Sequence, residues 1–283
     1  MNGSARNAGM QRTDHRWRKW HAYERVVCVS IALFLLAGCA PQVRFPSAHP
    51  KSSVMLYATL YRPEGSGPYP AVVLSHTCAG VQPHVLRWAE WLKGEGFVAL
   101  VVDSFSPRGE SNICGGRGTI SVDDVALDAV GALAYLRTLP FVDPGRIAMM
   151  GWSYGAMAAT RVTNNSFVKA VNPPGGGFRA AVAFYPGCGY VTKDISIPLL
   201  LLLGEADDYT PPEFCIKVAK QLQEVGRPVS LVVYPGTRHG FDDAELRGTV
   251  YTPQGSVGFD PAATADAKKR ARAFLKQYVR QVP

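Results

Sequence analysis

Apolar and polar positions follow two rhythms along this chain. Short, near-continuous apolar runs occur at residues 54–61, 71–74, 97–102, 146–150, 180–185, 199–203 and 230–234. Runs of this length, bounded by Gly, Pro and acidic turns, predict buried strands. Between them lie segments of helical spacing at 84–93, 121–136, 154–163, 213–223 and 264–279. The clearest is 121–136, where Val125, Ala129, Ala132, Leu133 and Leu136 share a face. Ser121 can cap that helix, and Asp123 with Asp124 opposes its N-terminal dipole. Alternating strands and helices, with strands apolar on both sides, predict an α/β fold: a mostly parallel sheet covered on both faces. Residues 164–178 form an excursion too short for a large helical lid, so an open site is expected.

A different pattern opens the chain. Residues 1–25 are polar and basic, and residues 26–37 then form an apolar run, VVCVSIALFLLA. That run is short for a bilayer span but suits the apolar region of a secretory signal. It ends in Leu36-Ala37-Gly38-Cys39, which resembles the lipobox of bacterial lipoprotein signal peptides. The resemblance implies cleavage after Gly38 and a lipidated Cys39 that holds the protein at a membrane face of the cell envelope. A plain secretory signal and an uncleaved anchor are the alternatives. The expected organisation is a signal at 1–38, a tether at 39–53 and one domain at 54–283, ample length for a single large core.

Charge adds little. The net charge is +8, and half of it lies in residues 1–39. The rest of the chain shows no basic stripe with interleaved aromatics, so nucleic acid is not an expected partner.

Six cysteines bear on the compartment. Cys28 leaves with the signal and Cys39 takes the lipid, which leaves Cys78, Cys114, Cys188 and Cys215. An even number in an oxidising compartment suggests two disulfides. The predicted topology puts Cys78 near Cys114 and Cys188 near Cys215, on neighbouring loops at the C-terminal edge of the sheet. Four buried thiols are the alternative. No C-x-x-C or clustered histidine points to a metal.

The chemistry centres on Gly151-Trp152-Ser153-Tyr154-Gly155. A predicted strand precedes this G-x-S-x-G motif and a predicted helix follows it, the setting of a nucleophile elbow. A serine hydroxyl needs a base, and His239 is the one histidine after Ser153 in the sequence. The acid belongs after the strand at 199–203, where Glu205, Asp207 and Asp208 are candidates. Backbone amides must hold the oxyanion. Tyr154 supplies one, and the Ser75-His76-Thr77-Cys78-Ala79-Gly80 loop the other. That loop resembles the H-G-x-x-G loops of esterases, which favours the Cys78 amide. His76 reads as a loop-shaping residue, and His84 as a surface residue or helix start. Arg108 can bind a substrate carboxylate or pin its own loop.

The segments SHTCAG, VVDSFSPRG, GWSYG, GEADDYTP and YPGTRHGFD, in that order, together resemble the dienelactone hydrolase family of α/β-hydrolases across roughly residues 54–280. The family pattern points to Asp207 as the acid. The founding members carry a cysteine nucleophile where this chain has Ser153, so dienelactone itself is not the expected substrate. The resemblance implies a serine hydrolase acting on a small ester or lactone, without cofactor or metal. A peptidase or acyltransferase on the same residues, and a non-catalytic binding module, are the competing readings.

Overall fold

The protein is described by a computed structural model covering residues 40–116 and 118–280. Cys39 and the apolar run before it lie outside the described residues.

An eight-stranded sheet forms the centre, in the order β1-β2-β4-β3-β5-β6-β7-β8. Its strands are β1 (Gln42–Pro46), β2 (Met55–Tyr61), β3 (Tyr69–Ser75), β4 (Val98–Asp103), β5 (Val142–Trp152), β6 (Ala181–Phe184), β7 (Leu199–Gly204) and β8 (Val229–Tyr234). From β4 through β8 all neighbours are parallel, while β1 and β2 join antiparallel at one edge. The mostly parallel expectation therefore holds.

Successive side chains of the parallel strands feed opposite layers. Val73, Leu100 and Met149 join the core under α2 (Val122–Arg137) and α3 (Tyr154–Arg161). Val72, Leu74, Ala99 and Met150 join the other, under α1 (Pro83–Gly94) and α6 (Pro261–Leu275). Strands buried on both faces are why the runs read as continuous rather than alternating. Helix α2 starts as its sequence suggests. Ser121 Oγ accepts from the Asp124 amide at 3.1 Å, and Asp124 Oδ2 accepts from the Ser121 amide at 2.8 Å. Such a reciprocal cap contributes about 1 kcal/mol.

Three elements depart from the sequence reading. Residues 42–46, expected within a tether, form β1, with Phe45 buried and stacked on Tyr135 at 5.1 Å. The folded unit accordingly runs from Pro41 rather than from residue 54. The excursion at 164–178 contains a short helix, α4 (Asn165–Val171). After β8, a hairpin of β9 (Thr249–Thr252) and β10 (Gly255–Gly258) stands apart from the main sheet. Helix α5 (Glu213–Glu224) joins β7 to β8. Both disulfides adopt the favoured pairing, Cys78–Cys114 and Cys188–Cys215.

Candidate active site

Ser153 lies in the turn between β5 and α3 with φ 50° and ψ −108°, a conformation that non-glycine residues rarely adopt. The flanking glycines make this turn possible. A Cβ on Gly151 would lie 2.2 Å from the Gly155 carbonyl oxygen, and one on Gly155 would lie 2.2 Å from that of Ser75. The strain lifts the serine hydroxyl clear of the sheet, at the N-terminus of α3.

Loops after β7 and β8 bring two further side chains to it. His239 Nε2 lies 3.0 Å from Ser153 Oγ, and His239 Nδ1 lies 2.8 Å from Asp207 Oδ2. All three are buried: Ser153 is 4% exposed, His239 6% and Asp207 3%. Asp207 is fixed from its own turn, since its Oδ1 accepts from the Tyr209 and Thr210 amides at 3.0 and 2.8 Å. Its carboxylate can orient the imidazole and stabilise the cation formed when the ring takes a proton. Asp208, the neighbouring candidate, points elsewhere: its Oδ1 accepts from the amide and the hydroxyl of Ser256, both at 2.7 Å. Glu205 likewise faces away, accepting from the Gly236 amide. Aromatic rings enclose His239. Tyr209 stacks on it at 4.6 Å between centroids, and Tyr185 lies 4.5 Å away.

The amides of Tyr154 and Cys78 donate no hydrogen bond among the described residues, while the Gly155 amide is committed to the His76 carbonyl at 3.0 Å. Tyr154 is the first residue of α3, where helix geometry leaves the N–H without an intrahelical acceptor. Its phenol is turned away, donating to the Ile120 carbonyl at 2.7 Å. Burial pushes that phenol up to about 12, so it stays neutral. Cys78 is held by its disulfide to Cys114.

His76 shapes this loop, as expected. Its Nδ1 bonds the Thr77 carbonyl at 2.8 Å, and its Nε2 accepts from the Ser104 amide at 3.2 Å. Burial pushes the ring's pKa below the ordinary histidine value, and the neutral ring is the form that can both donate and accept.

Two expectations are corrected. Arg108, the candidate for a substrate carboxylate, is engaged elsewhere and does not line the cavity beside Ser153. Its guanidinium grips the buried Asp128 through two bonds, at 2.8 and 2.9 Å, and the Ser104 carbonyl at 2.7 Å. A fork so occupied pins the loop, the other reading of this residue. His84 sits in the first turn of α1, so the helix-start reading holds, but it does not lie on the surface. It is 3% exposed, edge-on to Trp152 and 3.5 Å from Asp243. Burial works against ionisation of Asp243, but His84 and Arg87 outweigh it and hold the carboxyl below its usual value.

Sequence reasoning missed Asp242. This buried carboxylate accepts from Trp88 Nε1 at 2.6 Å, Trp152 Nε1 at 2.7 Å and the Tyr185 hydroxyl at 2.6 Å. It ties the His239 loop to α1, to the end of β5 and to the residue after β6. Burial first, and the Asp242 charge second, push the Tyr185 phenol far above its ordinary range, so it remains a donor. The spacing of the three donors, at 88, 152 and 185, leaves no local pattern to read.

A cavity of about 320 Å³ opens beside Ser153 and His239. Cys78, Asn112, Tyr209 and Gln254 form part of its wall, and among the described residues no Lys or Arg lines it. Among the described residues no cluster of His, Cys, Asp or Glu suited to a metal ion is found, and no helix is long and apolar enough to cross a membrane.

Comparison with known proteins agrees with this architecture. The model of the dienelactone hydrolase family matches residues 56–279, and the chain belongs to that family. Protein usf of Aquifex pyrophilus is 24% identical over 242 residues, covering 81% of this chain and 96% of the relative. Two solved structures share the fold. One is a dienelactone hydrolase-like promiscuous phosphotriesterase, P91, from metagenomic libraries. It has TM-score 0.66 and 19% identity, and covers 85% of this chain and 99% of P91. The other is the thermophilic esterase Est2 of Thermogutta terrifontis, with TM-score 0.58, 20% identity, and 82% and 91% covered.

Proposed function

We propose that this member of the dienelactone hydrolase family is a serine hydrolase that cleaves a carboxylic ester or lactone through an acyl-enzyme. The observation that carries the reading is the continuous Ser153–His239–Asp207 hydrogen-bond chain at the wall of a cavity. The family, and a structural neighbour described as an esterase, point to the same reaction class.

In this mechanism Ser153 Oγ attacks the carbonyl carbon while its proton passes to His239 Nε2. Asp207 holds the ring by Nδ1–H and stabilises the imidazolium. The Tyr154 and Cys78 amides receive the negative oxygen. Such a donor is worth about 3–4 kcal/mol of barrier. Collapse breaks the bond to the leaving oxygen, which takes the proton from His239. In a lactone that alcohol stays tethered to the acyl group. Water, deprotonated by His239, then attacks the acyl carbon, and the acid departs as the proton returns to Ser153.

The test is twofold. Ser153→Ala should abolish hydrolysis of p-nitrophenyl acetate, and a fluorophosphonate probe should label wild type but not the variant. Absence of both turnover and labelling in wild type would sink the reading and favour a non-catalytic binding module.

The proposed location is the bacterial cell envelope, with the enzyme anchored through a lipidated Cys39. The support is Leu36-Ala37-Gly38-Cys39 at the end of an apolar run, together with disulfide use, which suits an oxidising compartment. Labelled palmitate should enter the wild-type protein and not Cys39→Ala. Equal labelling of both would refute the anchor.

A further inference from the structure

Beyond the residues that would carry the reaction, one element stands over the cavity with no role in it. We propose that the β9–β10 hairpin, docked by Asp208, is the wall that restricts the substrate to esters or lactones whose group in this cavity is small. This inference rests on the serine hydrolase reading and specifies its substrate.

The hairpin lies outside the main sheet, so its place depends on contacts with the loops around the site. Ser256, wholly buried, makes most of them. Its amide and hydroxyl both donate to Asp208 Oδ1 at 2.7 Å, and its Oγ accepts from Arg238 Nη1 at 2.6 Å. The Gly258 amide donates to the His239 carbonyl at 3.0 Å, and Val257 bridges to His239. Gly255 permits a close approach: a Cβ there would lie 2.8 Å from the backbone of Tyr209. Thus adjacent carboxylates have separate tasks. Asp207 turns inward to His239, and Asp208 turns outward to the hairpin.

What the hairpin does there follows from what it presents. Thr252, Gln254 and Val257 line the cavity. Gln254 reaches the opposite rim, because a Cβ on Gly115 would lie 3.2 Å from its Nε2. Gly115 adjoins Cys114, whose disulfide fixes that rim to Cys78. The hairpin tip and the disulfide-held loop therefore meet along one side of a cavity that stays partly open, and its volume of about 320 Å³ is near the lower end for ligand pockets. A long chain directed toward that side would have to displace the hairpin.

Full-length wild type, Asp208→Ala and Asp208→Asn would be compared on two ester series. One lengthens the acyl chain on p-nitrophenol from acetate to octanoate, and the other lengthens the alcohol on acetate. Wild type should lose kcat/KM with length in one series. Asp208→Ala should raise the long-to-short ratio in that series severalfold, chiefly through KM, with acetate turnover retained. Asp208→Asn keeps an oxygen for Ser256 and should retain the wild-type profile. Val257→Ala, which enlarges the cavity without touching the docking bonds, should also raise the ratio and serves if Asp208→Ala fails to fold. Unchanged ratios in both series, with p-nitrophenyl acetate turnover intact, would overturn the inference alone. A wild type inactive on every ester and unlabelled at Ser153 would overturn the hydrolase reading and the inference with it.

Discussion

Replacing Asp242 by alanine removes the acceptor shared by three buried donors, the indoles of Trp88 and Trp152 and the hydroxyl of Tyr185. Indole N–H groups can only donate, and these rings are almost completely buried, so water offers no ready substitute. Each orphaned donor costs about 1–3 kcal/mol. With partial relaxation, the variant should lose about 3–6 kcal/mol. Asparagine behaves differently. Its carbonyl can serve both indoles that now meet Oδ2, while the Tyr185 hydroxyl turns to accept from the amide. That exchange replaces charged by neutral bonds and leaves the Tyr185 proton without its acceptor, so it should cost about 2–3 kcal/mol. A domain of total stability about 5–15 kcal/mol tolerates the second loss and is brought near its limit by the first. Urea denaturation, read by tryptophan fluorescence, measures both. An alanine variant within about 1 kcal/mol of wild type would refute the reasoning, as would an asparagine variant as damaged as the alanine one.

The two disulfides should separate stability from catalysis. Closing loops of 27 and 36 residues stabilises by about 3–4 kcal/mol each on the chain-entropy account. Cys188→Ala/Cys215→Ala should show that loss in denaturation with kcat retained. Cys78→Ala/Cys114→Ala should lower kcat as well, because it frees the loop of the proposed oxyanion amide; equal kcat in the two pairs would count against that amide. Arg108→Ala strands the Asp128 carboxylate, which has no exposure. It should cost about 3–5 kcal/mol in denaturant without raising KM selectively for carboxylate-bearing esters; a selective rise would restore Arg108 as a substrate ligand. His76 has its pKa lowered by burial from 6.5, so as pH falls through about 6.5 the unfolded chain takes the proton first. Stability is then full above that pH and declines below it, toward the folded value. The slope of stability against pH on the acid side should flatten in His76→Gln, and an unchanged slope would contradict the assignment.

How much of this was legible depended on how local each signal was. The elbow could be read because strand, strained turn and helix are contiguous around Ser153. His239 could be read because no other histidine follows Ser153. Asp207 and Asp208 are adjacent and chemically alike, so residue chemistry alone left them tied. The tie breaks on which one the turn aims inward, a property of backbone direction. Strand β1 was hidden because five residues ending in proline, with Val43 and Phe45 inward, resemble a tether until β2 supplies a partner. The β9–β10 hairpin has too few apolar positions to announce itself, and it is placed by Ser256 and Gly255. For Arg108 a usable local signal exists. Asp128 falls on the apolar face of α2, three residues after Val125 and four before Ala132. A carboxylate there demands a buried cation.

The acyl-enzyme itself offers the most direct test. The full-length protein would be quenched with acid during turnover of p-nitrophenyl acetate, and its peptides would be analysed by mass spectrometry. An acetyl group on Ser153, absent from the quenched Ser153→Ala protein together with its turnover, is the result predicted. Turnover that persists in Ser153→Ala, with no acyl group on Ser153 in wild type, would contradict the account.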